Sequence, residues 1–250
     1  RRGRSFDRWS SVLGSALWAA IPAGLIFLQP DLGSSLVIIA IWFGMLCFTN
    51  IKRRYILAIV GIGIFLITIG WFFFLKEYQK DRLSAFVNPN NPACAETTCY
   101  NVRQSLIAIG AGQLRGRGLG FGSQSQLHFL PEAQTDFIFA VIAEELGFLG
   151  AGMLLVLYGL ILYRLISLAQ NATNDFAAYT VIGIACLFLF QVAVNIGATT
   201  GIMPVTGLTL PFVSYGGSSL IINFLLVGIA ESVAWSASRM RNDVGVPGLS

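Results

Sequence analysis

Six carboxylates lie in or beside strongly apolar sequence: Asp31, Glu132, Asp136, Glu144, Glu145 and Glu231. In lipid such groups are costly unless they meet water, a partner or a ligand, which makes each a candidate for chemistry. Asp136 stands in LPEAQTDFIF, directly before an apolar run, where the positive end of a helix favours a carboxylate and Thr135 can serve as cap. Glu144 follows about 12 Å further along a helix, and Glu145 points to roughly the opposite face. At most one of them therefore shares a cavity with Asp136, and both are expected to pair with polar groups between helices. Asp31, in QPDLGSS, has two open roles: a helix N-cap or a carboxylate facing a ligand. His128 is the only histidine and is expected as an interfacial side chain rather than a catalyst.

The opposite charge gathers in one long segment between apolar runs, as Arg82, Arg103, Arg115 and Arg117. A planar guanidinium donates paired hydrogen bonds to phosphate, so this set invites an anion: a phosphorylated ligand, or the headgroups of a phospholipid surface. Arg115 and Arg117 lie in GAGQLRGRGLGFGS, Gly110 to Ser123, which lacks helical periodicity and is expected to be irregular backbone. No strand precedes it and no βαβ unit surrounds it, so its likeness to a dinucleotide-binding fingerprint carries little weight. Cys94 and Cys99 share the same segment and can form a disulfide if it lies on an oxidising side of a membrane. With a single histidine in the chain, their spacing is a poor zinc pattern. Cys47 and Cys186 fall in apolar runs and read as buried small residues.

The elements that must position these groups follow from composition. The chain has 250 residues, of which 55% are hydrophobic and 11% charged, and a mean hydropathy of +0.72. A soluble domain carries about a quarter charged residues. Apolar runs at residues 12–28, 32–49, 55–75, 137–165, 176–199 and 212–235 approach the roughly 17 to 25 residues needed to cross a bilayer. The expected fold is all-α: a polytopic transmembrane helical bundle of six spans, with a long external loop, residues 76–135, between the third and fourth. Within that loop Ser105 to Ala111 is apolar but too short to cross, and is expected to lie along or dip into the membrane surface. Arg1, Arg2, Arg4, Arg8, Lys52, Arg53, Arg54, Arg164, Arg239 and Arg241 flank the spans on one side, which marks that side and both ends of the chain as cytoplasmic. This anchoring accounts for the net charge of +4 and leaves no case for nucleic-acid binding. A short repeat, GSSLVIIAIWFG from Gly33 and GSSLIINFLLVG from Gly217, follows Pro30 and Pro211 respectively. Two broken helix starts of this kind would aim backbone N–H groups at an anion.

Taken together, QPDLGSSLV, AIGAGQLRGRGLGFGSQSQLHFLPEAQTDFIFAVIAEELGFLG and NIGATTGIMPVTGLTLPFVSYGGSS resemble the SEDS family of cell-wall polymerases. The resemblance covers nearly the whole chain, and GSQSQLHFLPE looks like the RodA branch, which serves cell elongation and rod shape. It implies a ten-span protein of the bacterial cytoplasmic membrane that joins lipid II units to a growing glycan strand at the external face. The implied partner is a class B penicillin-binding protein, which cross-links the strands. Members begin with four further spans, including a segment whose charged residues help line the central cavity. Nothing in this chain matches that part, so it is expected to correspond to the C-terminal portion of a SEDS protein.

By resemblance the essential carboxylate is Asp136, the Asp of TDFIFAV. Polymerisation removes a proton from a sugar 4-hydroxyl while an anomeric carbon loses a lipid diphosphate, and so needs a base near one partner and cations near the other. Asp136 is the expected base, or the ligand of a divalent cation, Mg²⁺ or Mn²⁺, that bridges to the diphosphate. Arg115, Arg117 and Arg82 are expected to hold the diphosphate, with Asp31, Glu132, Glu144 and His128 as secondary candidates. Two other functions use the same features: a flippase or transporter of the lipid-linked precursor, and a non-catalytic scaffold for a penicillin-binding protein. The gathering of charge in a loop on one side, rather than at the midplane, favours the enzyme.

Overall fold

A computed structural model describes residues 9–29, 31–49, 51–73, 98–127 and 129–244. Among these residues all regular structure is helical: α1 (Trp9–Leu28), α2 (Leu32–Cys47), α3 (Arg53–Phe73), α4 (Thr98–Gly112), α5 (Ser123–Gln126), α6 (Ile138–Gln170), α7 (Asp175–Thr199) and α8 (Gly217–Val244). Four of them, α1, α6, α7 and α8 over Gly217–Ser236, are long and apolar enough to cross a membrane. Large apolar side chains such as Trp18, Phe148, Val156 and Phe224 are exposed, whereas Ser35, Ser105, Asn195, Thr199 and Asn223 are buried. That inversion suits helices whose outer surface meets lipid and whose polar groups satisfy one another inside.

The chain divides into two compact units, one of Arg1–Lys52, Tyr158–Phe190 and Gly217–Ser250, the other of Arg53–Leu157 and Gln191–Gly216. In the first, α2 is fastened to α1 by the Ser35 hydroxyl, which donates to the Ala23 carbonyl at 3.1 Å, and by the Trp42 indole N–H, which donates to Ser15 Oγ at 3.2 Å. Asp31 caps α2, its carboxylate accepting from the Ser34 N–H at 3.0 Å. Asn174 plays the same part for α7 by accepting from the Ala177 N–H at 2.7 Å. Gly44 gives α2 a close approach to Cys186 on α7, where a Cβ would overlap the sulfur. The repeated GSSL segments both open helices, α2 at Leu32 and α8 at Gly217.

The second unit packs Ala108, Leu130, Phe137 and Ala140 as a buried cluster, with Ile109, Ala133, Val141 and Val205 against it. The buried Ser105 hydroxyl lies 2.8 Å from the Thr199 carbonyl and ties α4 to the end of α7. Three expectations need correction here. The run expected to be irregular from Gly110 is helical as far as Gly112, because Ser105–Gly112 forms the second half of α4, a helix whose polar first turns hid it and whose glycines at 110 and 112 looked like loop. The expected fourth span is interrupted at Gly147, which has φ 68° and ψ −166°. The last span starts at Gly217 rather than 212, because residues 207–216 form an irregular loop in which Phe212 takes a left-handed φ of 64°.

Candidate functional site

Two helices break at the same place and trade hydrogen-bond partners. Had α4 and α6 run on unbroken, the N–H groups of Arg117 and Gly118 would bond to the carbonyls of Gln113 and Leu114, and those of Phe148 and Leu149 to Glu144 and Glu145. Instead Arg117 donates to the Glu144 carbonyl at 2.9 Å and Gly118 to Glu145 at 3.0 Å, while Phe148 donates to Gln113 at 2.8 Å and Leu149 to Leu114 at 3.2 Å. Each break leaves two donors and two acceptors, and each set satisfies the other. This meets the requirement that backbone groups in a low-dielectric setting stay paired. Glycine makes the approach possible. A Cβ at Gly112 would overlap the Ala143 carbonyl, one at Gly116 the Glu145 carbonyl, and one at Gly147 the Gly116 nitrogen. The glycine-rich run is therefore a backbone splice rather than a free loop.

The splice sets the basic residues. Arg115 and Arg117 are exposed and belong to the rim of an open cleft of about 470 Å³ lined by residues 111–117. Arg117 donates from Nη1 to Ser123 Oγ at 2.9 Å and from Nε to the Ala111 carbonyl at 3.4 Å. Ser123 Oγ in turn lies 3.3 Å from Glu144 Oε1, which also accepts from the Gln124 N–H at 3.0 Å. Glu144 has no exposed surface at all. It anchors the start of α5 and, through Ser123, the Arg117 side chain.

Asp136 is half-buried in a run of turns, residues 131–137, that leads into α6. The helix starts at Ile138, one position later than expected, and the Thr135 hydroxyl does not cap it but lies 2.9 Å from Glu132 Oε2. Glu132 takes a left-handed φ of 53°, and its carbonyl accepts from the N–H groups of Thr135 at 3.2 Å and Phe137 at 3.3 Å. On the other side the Asn195 amide donates to the Asp136 carbonyl at 3.0 Å, the Ser214 hydroxyl to the Thr135 carbonyl at 2.7 Å, and the Tyr215 N–H to the Gln134 carbonyl at 2.8 Å. Sequence reasoning missed Asn195, Ser214 and Ser123. Asn195, within the apolar VAVNIGA, carried the available signal, since an amide inside a spanning helix needs polar partners.

The structure thus brings Arg115, Arg117 and Glu144 together and links them to Asp136 through Ile138–Leu146, about 13 Å of helix. Asp31 lies in the first unit as a helix cap. Arg103 is exposed on α4, and Glu231 on α8. Arg82, Cys94 and His128 lie outside the described residues. Cys99 is fully buried and disulfide-bonded.

Comparison with known proteins accords with this geometry. A family model described as a cell cycle protein, that of FtsW, RodA and SpoVE, matches residues 2–239. Peptidoglycan glycosyltransferase MrdB of Escherichia coli K12 is 42% identical over 214 residues, 85% of this chain and 57% of that protein. A solved chain from a peptidoglycan synthase complex, described as coordinating polymerization and crosslinking, superposes with a TM-score of 0.73 at 32% identity, covering 94% of this chain and 65% of that one. The crystal structure of the rod shape determining protein RodA of Thermus thermophilus gives 0.59 at 33% identity, over 92% and 57%. The chain spans little more than half the length of the curated relatives it matches. With all regular structure among its described residues helical, and matched along nearly all of its sequence, it belongs to the FtsW, RodA and SpoVE family of polytopic membrane proteins, the SEDS family.

Proposed function

We propose that the protein is a peptidoglycan glycosyltransferase that polymerises lipid II into glycan strands for cell elongation. The observation that carries this reading is a carboxylate and two guanidinium groups fastened to opposite ends of one short helical segment, Ile138–Leu146, in a chain whose relatives are named peptidoglycan glycosyltransferases. In this reading Asp136 takes the proton of the acceptor 4-hydroxyl as that oxygen bonds to the donor's anomeric carbon. The bond from that carbon to the diphosphate breaks, its electron pair leaves with the diphosphate, and Arg115 and Arg117 neutralise the charge. Arg82 would be a third contact.

Among the described residues no group of three or more His, Cys, Asp or Glu side chains could hold a metal ion. Mg²⁺ is commonly bound by one or two carboxylates together with substrate phosphates, and Asp136 facing a diphosphate fits that mode. When bound, Mg²⁺ or Mn²⁺ would supply charge stabilisation to the leaving diphosphate. The basic-residue bias supports a topology with both ends of the chain cytoplasmic and the α4–α5 region external, where the polymer grows. The cross-linking partner would be a class B penicillin-binding protein.

The test is Asp136→Asn in the intact protein, assayed on labelled lipid II. Loss of a general base costs about 100-fold to 10,000-fold, so polymer should vanish while folding and co-purification of the partner persist. Near wild-type polymer from this variant would remove Asp136 from the chemistry and revive the transporter reading. Chelation that abolishes wild-type turnover, with recovery on added Mg²⁺ or Mn²⁺, would favour the metal-assisted form.

A further inference from the structure

We propose that Asn195 and Ser214 are positioning residues for Asp136, a role that rests on the reading of Asp136 as the essential carboxylate. Three successive carbonyls, those of Gln134, Thr135 and Asp136, are held in turn by the Tyr215 N–H at 2.8 Å, the Ser214 hydroxyl at 2.7 Å and the Asn195 amide at 3.0 Å. These carbonyls belong to a non-helical run, which by itself would leave the backbone origin of the Asp136 side chain free to move. The donors are themselves fixed. Ser214 Oγ accepts from the Leu210 N–H at 2.8 Å, and the second proton of the Asn195 amide goes to the Leu208 carbonyl at 2.8 Å. Asn195 therefore locks the Asp136 turn to the loop after α7.

The arrangement is built at a local cost, which argues against simple packing. Asn195 is 2% exposed, and its Oδ1 is buried without a partner. A leucine of similar volume would leave no such orphan, so the asparagine is worth its place only for the two bonds its amide donates. Left-handed backbone occurs on both sides of the clamp, at Glu132 with φ 53° and at Phe212 with φ 64°. Strain of this kind persists only where the surroundings over-determine the backbone, and it clusters at sites that need a fixed geometry. A base displaced by even about 1 Å from its proton can lose on the order of 100-fold in rate.

The experiment measures lipid II polymerisation by the intact protein, per folded molecule, for Asn195→Leu, Ser214→Ala and Ser214→Thr, with Asp136→Asn alongside. Asn195→Leu and Ser214→Ala should each lower kcat by roughly 10-fold to 100-fold with KM for lipid II within twofold of wild type. Ser214→Thr, which keeps the hydroxyl, should recover most of the rate. If Asn195→Leu does not fold, the contrast between Ala and Thr at 214 still decides. Wild-type kcat in the clamp variants beside an inactive Asp136→Asn would overturn the positioning role and leave Asp136 in place. An active Asp136→Asn would instead overturn the underlying assignment, and the positioning role with it.

Discussion

Gly147→Ala isolates the exchange of partners between α4 and α6. At φ 68° and ψ −166° the position suits glycine, and another residue held there costs on the order of 1–3 kcal/mol. A Cβ would also overlap the Gly116 nitrogen and come within 2.7 Å of the carbonyl carbons of Leu114 and Arg115. Those are backbone atoms, which cannot turn aside as the tip of a side chain can. The available relief is a straight helix, in which the Phe148 and Leu149 N–H groups return to Glu144 and Glu145. Backbone bonding drops out of the comparison with wild type, because in both variants the straight form recovers the Phe148 and Leu149 bonds and releases the Arg117 and Gly118 N–H groups to water. What remains is the strain released plus about 1 kcal/mol for alanine over glycine inside a helix. The sum is a bias of roughly 2–4 kcal/mol toward the straight form, or about 30-fold to 1,000-fold in the equilibrium. Hydrogen–deuterium exchange on the detergent-solubilised protein should show the Arg117 and Gly118 amides exchanging at least tenfold faster, Phe148 and Leu149 still protected, and polymerisation reduced. Wild-type protection at Arg117 and Gly118 in the alanine variant would refute the role given to Gly147.

Other substitutions bear on single contacts. Glu144→Ala should lower unfolding free energy by about 2–4 kcal/mol, through the cavity it leaves and the stranded Gln124 N–H. Glu144→Gln, which can still accept that bond, should recover more than half in thermal melts, and equal losses would assign the effect to charge instead. Asp31→Ala should cost about 1 kcal/mol of stability as a lost N-cap and leave polymerisation per folded molecule unchanged; lost activity at wild-type stability would return Asp31 to the functional candidates. Cysteine introduced at Leu119 should react with an impermeant maleimide on intact cells and one at Arg53 only after permeabilisation, and the reverse pattern would invert the topology.

Apolar run length found the long helices, and the acidic and basic residues of the site stood out because charge is scarce in this sequence. What stayed hidden has one physical root: hydrogen bonding between residues far apart in the chain. Gly147 lies two residues after Glu145 with no turn signal beside it, so its local sequence does not set its backbone apart from that of Gly152 or Gly159, where a Cβ would meet open space. It is marked only by the backbone that crosses it. Glu144 was legible as a buried acid needing a partner, yet the partners, Ser123 and the Gln124 N–H, are unremarkable in sequence. Thr135 looked like a cap because it precedes the helix by the right interval, but Glu132 turns left-handed and draws the hydroxyl back. The start of α8 was misplaced for a similar reason: Pro211 to Tyr215 is apolar enough to read as helix, while Ser214 and Tyr215 are committed to the carbonyls before α6.

The trade of partners also fixes chain length. Residues 113 and 114 meet 148 and 149 only while 117 and 118 meet 144 and 145, so the two segments share one register, as a pair of β-strands would. Surface connections ordinarily absorb insertions and deletions, and a glycine-rich stretch would be a natural choice for an epitope tag or a fluorescent reporter. Here one residue gained or lost between Gly112 and Gly118 would slip all four bonds and swing Arg115 and Arg117 away from their neighbours. Just downstream the constraint lifts. Leu119, Gly120 and Phe121 are exposed, and a Cβ at Gly120 meets open space, so a reporter joined at Gly120 leaves the spliced backbone at its native count.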